Sequence, residues 1–287
     1  MSIVLRSGPK TVALVAAGLA ALSGHADAQG TPFGDDLVVS YLYAAVMGTG
    51  TYTVRGRRIT MFRLPLAMTL REPTESRFGY RVQLPVVLGY DDLTEVGSDL
   101  IESLLPDQLV TLTVLPGIET IHPIATNWNL KPFIQVGGGQ DFSLGETFAM
   151  THLGVRSRAQ FELDESWDVL LGTSARWAAE HQFESDDTTS FGVFEFGVEG
   201  RCELPFSVDG DAVDVGAYYV LQSFVPEWRI GEAPGLDQNA RDLHEFGLSF
   251  GFRRRDRILG LPVHRVRVGY KKGGSFQGWT IGTDFPF

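Results

Sequence analysis

Cysteine is nearly absent. Cys202 is the only one, which excludes an internal disulfide and a zinc site built on several thiolates. Positive charge is in deficit, with 24 Lys and Arg against 35 Asp and Glu and a formal charge of -11, so nucleic acid is an unsuitable partner. Long apolar runs are missing after the first 28 residues, and with them any helical membrane span. Linkers, low-complexity tracts and signs of a second domain are missing too. Acidic pairs such as Asp91-Asp92 and Asp186-Asp187 offer hard oxygen ligands but no EF-hand spacing, so they read as solvated loop acids, and no metal or cofactor is expected.

At the N-terminus, Arg6 and Lys10 precede an apolar run from Thr11 to Gly24 and a small-residue site, Ala26-Asp27-Ala28. This is the pattern of a cleaved secretory signal peptide over 1–28, with the mature domain at 29–287 beginning at Gln29. The run of roughly 14 residues is shorter than the roughly 20 a membrane helix needs.

Alternation dominates the remainder. In Phe246-Gly247-Leu248-Ser249-Phe250-Gly251-Phe252 one face is wholly large and apolar, and the other is glycine and serine. Phe194, Phe196 and Val198 alternate with Glu195, Gly197, Glu199 and Arg201, and Val266, Val268 and Tyr270 with Arg265, Arg267, Gly269 and Lys271. Such segments recur at about the ten-residue length with which a tilted strand crosses a bilayer, so the apolar face meets lipid and the charged face lines a lumen.

The segments number about twelve, with cores near 37–46, 59–70, 78–90, 108–119, 128–138, 148–161, 167–181, 190–202, 212–224, 243–254, 264–272 and 276–287. Ten or fourteen also fit, because the first segment is apolar on both faces and stays strand-like as far as Val54. The expected fold is an all-β, antiparallel, up-and-down transmembrane barrel with both termini periplasmic. The longest connections, 91–107 and 225–242, then fall outside, with a short helix expected near Ser98 to Leu105. Leu163 to Ser166 reads as a tight periplasmic turn, and Glu203–Asp211 and Arg255–Pro262 as longer ones.

The final residues, Thr280-Ile281-Gly282-Thr283-Asp284-Phe285-Pro286-Phe287, carry polar Thr280, then Gly282, apolar Phe285 and aromatic Phe287 at fixed spacing. A terminal aromatic alone says little where 11% of residues are aromatic; joined to the signal peptide, the spacing and the strand count, it points to a barrel. It resembles the β-signal read by the barrel-assembly machinery. By strand parity Trp279, Ile281, Phe285 and Phe287 are expected to face lipid, with Gly278, Gly282 and Asp284 opposite.

The segment Leu130-Lys131-Pro132-Phe133-Ile134-Gln135-Val136-Gly137-Gly138-Gly139, together with Gly282 to Phe287, resembles the solitary outer-membrane autotransporter-like β-barrel family. That resemblance implies an autotransporter translocator-like barrel without a passenger and without an established activity. Its partners would be outer-membrane lipid and lipopolysaccharide and the assembly machinery, with an extracellular ligand left open.

The expected lumen-lining charges are Arg156, Arg158, Asp168, Arg176, Glu195, Glu199, Arg265 and Arg267, joined by Arg63, Arg81, Glu180, Glu245, Lys271 and Asp284. Mixed charges either pair and seal a lumen or line a wet channel, so a small or gated diffusion channel stands beside a sealed barrel. No catalytic residue is expected. His122, His152, His181, His244 and His264 lack the serine two positions on that a resemblance to outer-membrane lipid hydrolases would require. Asp242-Leu243-His244 has the spacing of an omptin-type pair, which marks His244 for scrutiny but is also within the reach of chance.

Overall fold

In a computed structural model of the chain, the described residues form thirteen β-strands and no helix. They are 47–54, 57–75, 77–91, 109–142, 145–164, 166–184, 188–208, 211–229, 239–252, 265–274, 276–283 and 285–287. The strands are β1 (Thr49–Val54), β2 (Arg57–Arg71), β3 (Gly79–Asp91), β4 (Leu109–Val114), β5 (Gly117–Ala125), β6 (Trp128–Asp141) and β7 (Glu146–Glu162). They continue as β8 (Trp167–Gln182), β9 (Thr188–Val208), β10 (Asp211–Arg229), β11 (Asn239–Phe252), β12 (Arg265–Gly273) and β13 (Phe276–Thr283).

Neighbours in sequence pair antiparallel, and β1 returns to β13 from Thr49↔Ile281 to Val54↔Phe276, so the sheet closes on itself. β4 and β5 are two halves of one stave, since both pair with β3 on one side and β6 on the other. The interruption is Pro116, which has no N–H to give the ladder. Around it Leu115 N–H still donates to Pro85 C=O (3.1 Å) and Pro116 C=O accepts from Val136 N–H (3.0 Å). The barrel therefore has twelve staves, an even number that puts both strand ends at one rim.

Side-chain parity builds an apolar outer wall. Leu64, Leu66, Met68 and Leu70 of β2 all point out and are exposed, as are Phe246, Leu248 and Phe250 of β11. On β8 the outward Trp167 and Trp177 are ten positions apart. At about 3.3 Å per residue and a tilt near 40°, they bracket a belt about 25 Å tall.

The turn between β7 and β8 shows how local chemistry sets the register. Asp164 Oδ1 accepts from the N–H of Ser166 (2.7 Å), the Ser166 hydroxyl (2.9 Å) and the N–H of Trp167 (2.8 Å). The Ser166 backbone bond, more than any other contact, holds this carboxyl below the usual aspartate range.

Several boundaries depart from the sequence expectation. The first described stave lies at Thr49–Val54, and the 37–46 core falls outside the described residues, as do the signal segment, the 98–105 helix, the 255–262 connection, His264 and Asp284. Glu203–Asp211 is not a loop: β9 runs to Val208 and pairs with Asp211 at the start of β10. The register shifts between Ala212 and Asp214, and this bulge absorbs Pro205, whose missing N–H would break a regular ladder. The 225–242 connection is likewise shortened, because β10 continues to Arg229 and β11 starts at Asn239 across a second shift after Ser223.

Replacing Leu248, mid-belt opposite Ala217 and Val268, tests the outer wall. Leu248→Arg should lower the unfolding free energy of vesicle-embedded protein by about 2–4 kcal/mol in a denaturant titration. A cost below about 1 kcal/mol would put Leu248 outside the apolar belt.

Candidate functional site: a filled lumen

Three groups of side chains occupy the interior. The loop end of the barrel, at which β3 and β10 end and β4 and β11 begin, is capped by an apolar cluster. Tyr52, Phe148, Phe191, Phe224, Leu243 and Phe276 belong to it, each 5% exposed or less and each near the loop end of its strand. Tyr52 O–H donates to Gly48 C=O at 2.8 Å, which ties the ring back to the chain just before β1.

Beneath the cap lies a charge layer. Glu195 accepts from Arg176, the Ser174 hydroxyl and the Gln222 amide. Lys271 Nζ bridges Gln222 (2.9 Å) to Glu245 (3.2 Å). Glu245 Oε1 further accepts from Arg267 (2.8 Å), Tyr218 O–H (2.9 Å) and Thr280 O–H (2.9 Å). Glu199 accepts from Arg201 at 2.7 Å and from the Ser249 hydroxyl, and Arg265 joins Ser249 to Asp214. On the opposite wall Glu119 takes both Arg81 and Arg156, and Gln135 links Gln83 (2.7 Å) to His152 (2.9 Å). Guanidiniums also lie over rings, Arg156 over Phe133 at 4.8 Å and Arg267 over Tyr218 at 5.4 Å.

Among these charges lies a second apolar cluster, in which Leu170, Tyr218, Val220, Phe285 and Phe287 pack together, with Asp168, Glu199 and Asp214 nearer the turn end of the same staves. Lys131 Nζ donates to Phe287 O at 3.3 Å.

The structure thus puts Arg156, Asp168, Arg176, Glu195, Glu199, Arg265 and Arg267 inside the barrel, with Arg158 on the same parity of β7. Phe285 and Phe287 are a correction. They are not on the lipid face with the exposed Trp279 and Ile281 but are buried in the lumen, at 5% and 4% exposure. Pro286 cannot extend the ladder, β13 stops at Thr283, and strand parity does not govern the last three residues. Thr280 and Gly282 face inward. A Cβ on Gly282 would lie 2.7 Å from Arg267 Nε, so its absence makes room for the guanidinium.

Sequence reasoning passed over Gln83, Gln135, Gln222, Ser174, Ser249, Tyr218 and Lys131. Gln83, Ser174 and Ser249 share strand parity with a charge already singled out, and that parity was the available signal; Gln135 and Lys131 on β6 and Gln222 and Tyr218 on β10 lie on strands where no charge had been singled out. The apolar cap gave no such signal, because an inward Phe148 looks like an outward one until the register is known.

His244 and Asp242 face outward at the loop end. His244 Nδ1 lies 2.8 Å from Tyr219 Oη, and Asp242 accepts from the Ser223 hydroxyl at 2.7 Å, so each is engaged by a β10 partner.

No protein-family model matches the sequence, and no curated protein matches it. A solved structure does: the crystal structure of the β domain of the Bordetella autotransporter BrkA aligns with a TM-score of 0.52. The match covers 82% of this chain and 96% of that one at 10% identity. The fold is that of an autotransporter β domain. Nearly the whole of the BrkA domain is matched, so the likeness is of one entire barrel to another. In this autotransporter-type barrel the interior is taken up by side chains and by the Phe285–Phe287 segment.

Charges enclosed this tightly are costly when one partner is removed, at about 3–5 kcal/mol for a buried pair. Glu245→Ala, which leaves Arg267 and Lys271 facing each other, should lower the unfolding free energy by that amount in a urea titration. Adding Arg267→Met and Lys271→Met should recover most of the loss; no recovery would mean the cost lies elsewhere than in unpaired charge.

Proposed function

We propose that this chain is an integral outer-membrane barrel of autotransporter-translocator type that is sealed, non-enzymatic and not threaded by a passenger. The observation that carries the reading is the filled lumen: an apolar cap lies at the loop end, and below it paired charges interleave with the apolar cluster that holds Phe285 and Phe287. A translocating pore needs a free path, and a side-chain-filled interior is how a narrow barrel becomes a solid wall element. The loop end faces the exterior, and the turn end, with both strand ends of the closing seam, faces the periplasm. Thr280, Gly282, Phe285 and Phe287 act as the insertion signal for the barrel-assembly machinery during folding. Lipid and lipopolysaccharide surround the belt, and no cofactor is needed.

A small channel is the second reading. Arg81 and Arg156 favour it, because their side chains keep 29% and 22% exposure beside Glu119 and so retain contact with water. Planar-bilayer recording on refolded protein separates the two. Silence from barrels that show heat-modifiable migration is expected, and stable conductance steps would overturn the sealed reading. His244→Ala should leave the protein without any change in peptide or lipid cleavage; a lost activity would establish an enzyme instead.

A further inference from the structure

The Phe285-Pro286-Phe287 segment occupies a site shaped for it. β13 belongs to the twelfth stave, yet its tail reaches β8 and β9, several staves away around the ring. There Gly172 and Gly197 are directly paired across the two strands, and together they form a notch in the inner wall. A Cβ on Gly172 would stand 2.2 Å from the Phe287 ring, and one on Gly197 would stand 2.4 Å from it and 3.1 Å from Phe285. Either position as alanine would evict the tail as it lies. The neighbouring inward positions, Leu170 and Ser174 on β8 and Glu195 and Glu199 on β9, all carry side chains, so the notch is confined to where the ring sits.

The rest of the site is equally specific. Leu170 and Val220 wall the notch with apolar surface, and Tyr218 adds a ring. Phe285 and Phe287 lie against each other with centroids 5.1 Å apart. Lys131, from the far side on β6, donates to the main-chain oxygen of Phe287 at 3.3 Å.

We propose that the periplasmic half of the lumen is a binding site for a short aromatic peptide segment of the type Phe-Pro-Phe, filled in the resting protein by the chain's own residues 285–287. The tail is a ligand held in cis. The paired glycines supply the space, the apolar wall supplies burial, and Lys131 fixes the direction of the segment. Any peptide of the same class reaching the periplasmic mouth competes with it.

The test uses Val220→Cys as a reporter in a Cys202→Ser background, refolded in nanodiscs so that both mouths meet solvent, with a membrane-impermeant maleimide as the probe. The intact tail should protect the thiol at position 220. Phe285→Ala with Phe287→Ala, and separately Gly172→Ala with the tail intact, should each speed labelling by about tenfold or more, as expected when a closed local contact is lost. A synthetic Thr-Asp-Phe-Pro-Phe peptide should restore protection to the tail-alanine barrel and fail to restore it to the Gly172→Ala barrel. Heat-modifiable migration checks the barrel independently. If the tail-alanine protein does not fold, the Gly172→Ala barrel, whose terminal motif is untouched, decides the matter. Equal labelling of intact and Gly172→Ala barrels overturns the proposal, as does a folded tail-alanine barrel that the peptide does not protect.

Discussion

Closure of the sheet is the constraint on which everything else rests. In a bilayer the backbone N–H and C=O groups of a strand have no water to turn to, and an open edge would leave a row of them unpaired. The seam between β1 and β13 removes both edges with a described register of six residue pairs. The pairing of β7 with β8 runs much further, from Phe148↔Gln182 to Glu162↔Asp168. So the ring closes through one of its shorter ladders, and Pro116, the one described break within a stave, is bridged by bonds on either side.

Closure forces a second problem, the interior. Twelve staves enclose more space than the side chains of an eight-stranded barrel fill and less than an open porin channel needs. This chain answers with chemistry that changes along the axis. Where strands near the loop end point Phe148, Phe191, Phe224 and Phe276 inward, the rings fill the space by bulk. Where they point Glu195, Glu199 and Glu245 inward, arginines, a lysine, hydroxyls and amides from neighbouring staves satisfy each carboxylate. The part of the charge layer built on Glu195, Glu199 and Glu245 spans β8 to β13, so it also ties the closing staves to the body of the barrel through Thr280 and Arg267. The aromatic tail fills a gap among these charges, on a wall where paired glycines leave the room for it.

Much of this was legible in the residues. Period-two alternation gave the strands, their approximate number and the identity of the two faces, because a pleated strand has no freedom to put Phe246 and Glu245 on one side. Most charges of the lumen came from the same parity, although Glu119 and Asp214 were not among them. What parity could not show was which inward carboxylate meets which cation or hydroxyl: Glu199 and Ser249 are 50 positions apart and meet only once β9, β10 and β11 are in register. Nor could it show the Glu203–Asp211 hairpin, where a bulge around Pro205 carries two strands through a stretch that reads as a loop.

In the sequence alone, alternation, the strand count, the leading segment and the terminal motif together pointed to an antiparallel barrel whose apolar strand faces turn outward. The tertiary structure alone decided that the lumen is filled and that Phe285 and Phe287 lie within it. Parity is a property of a strand and ends with the strand; beyond Thr283 the chain goes where space and contacts allow, and the notch at Gly172 and Gly197 exists only after β8 and β9 have paired.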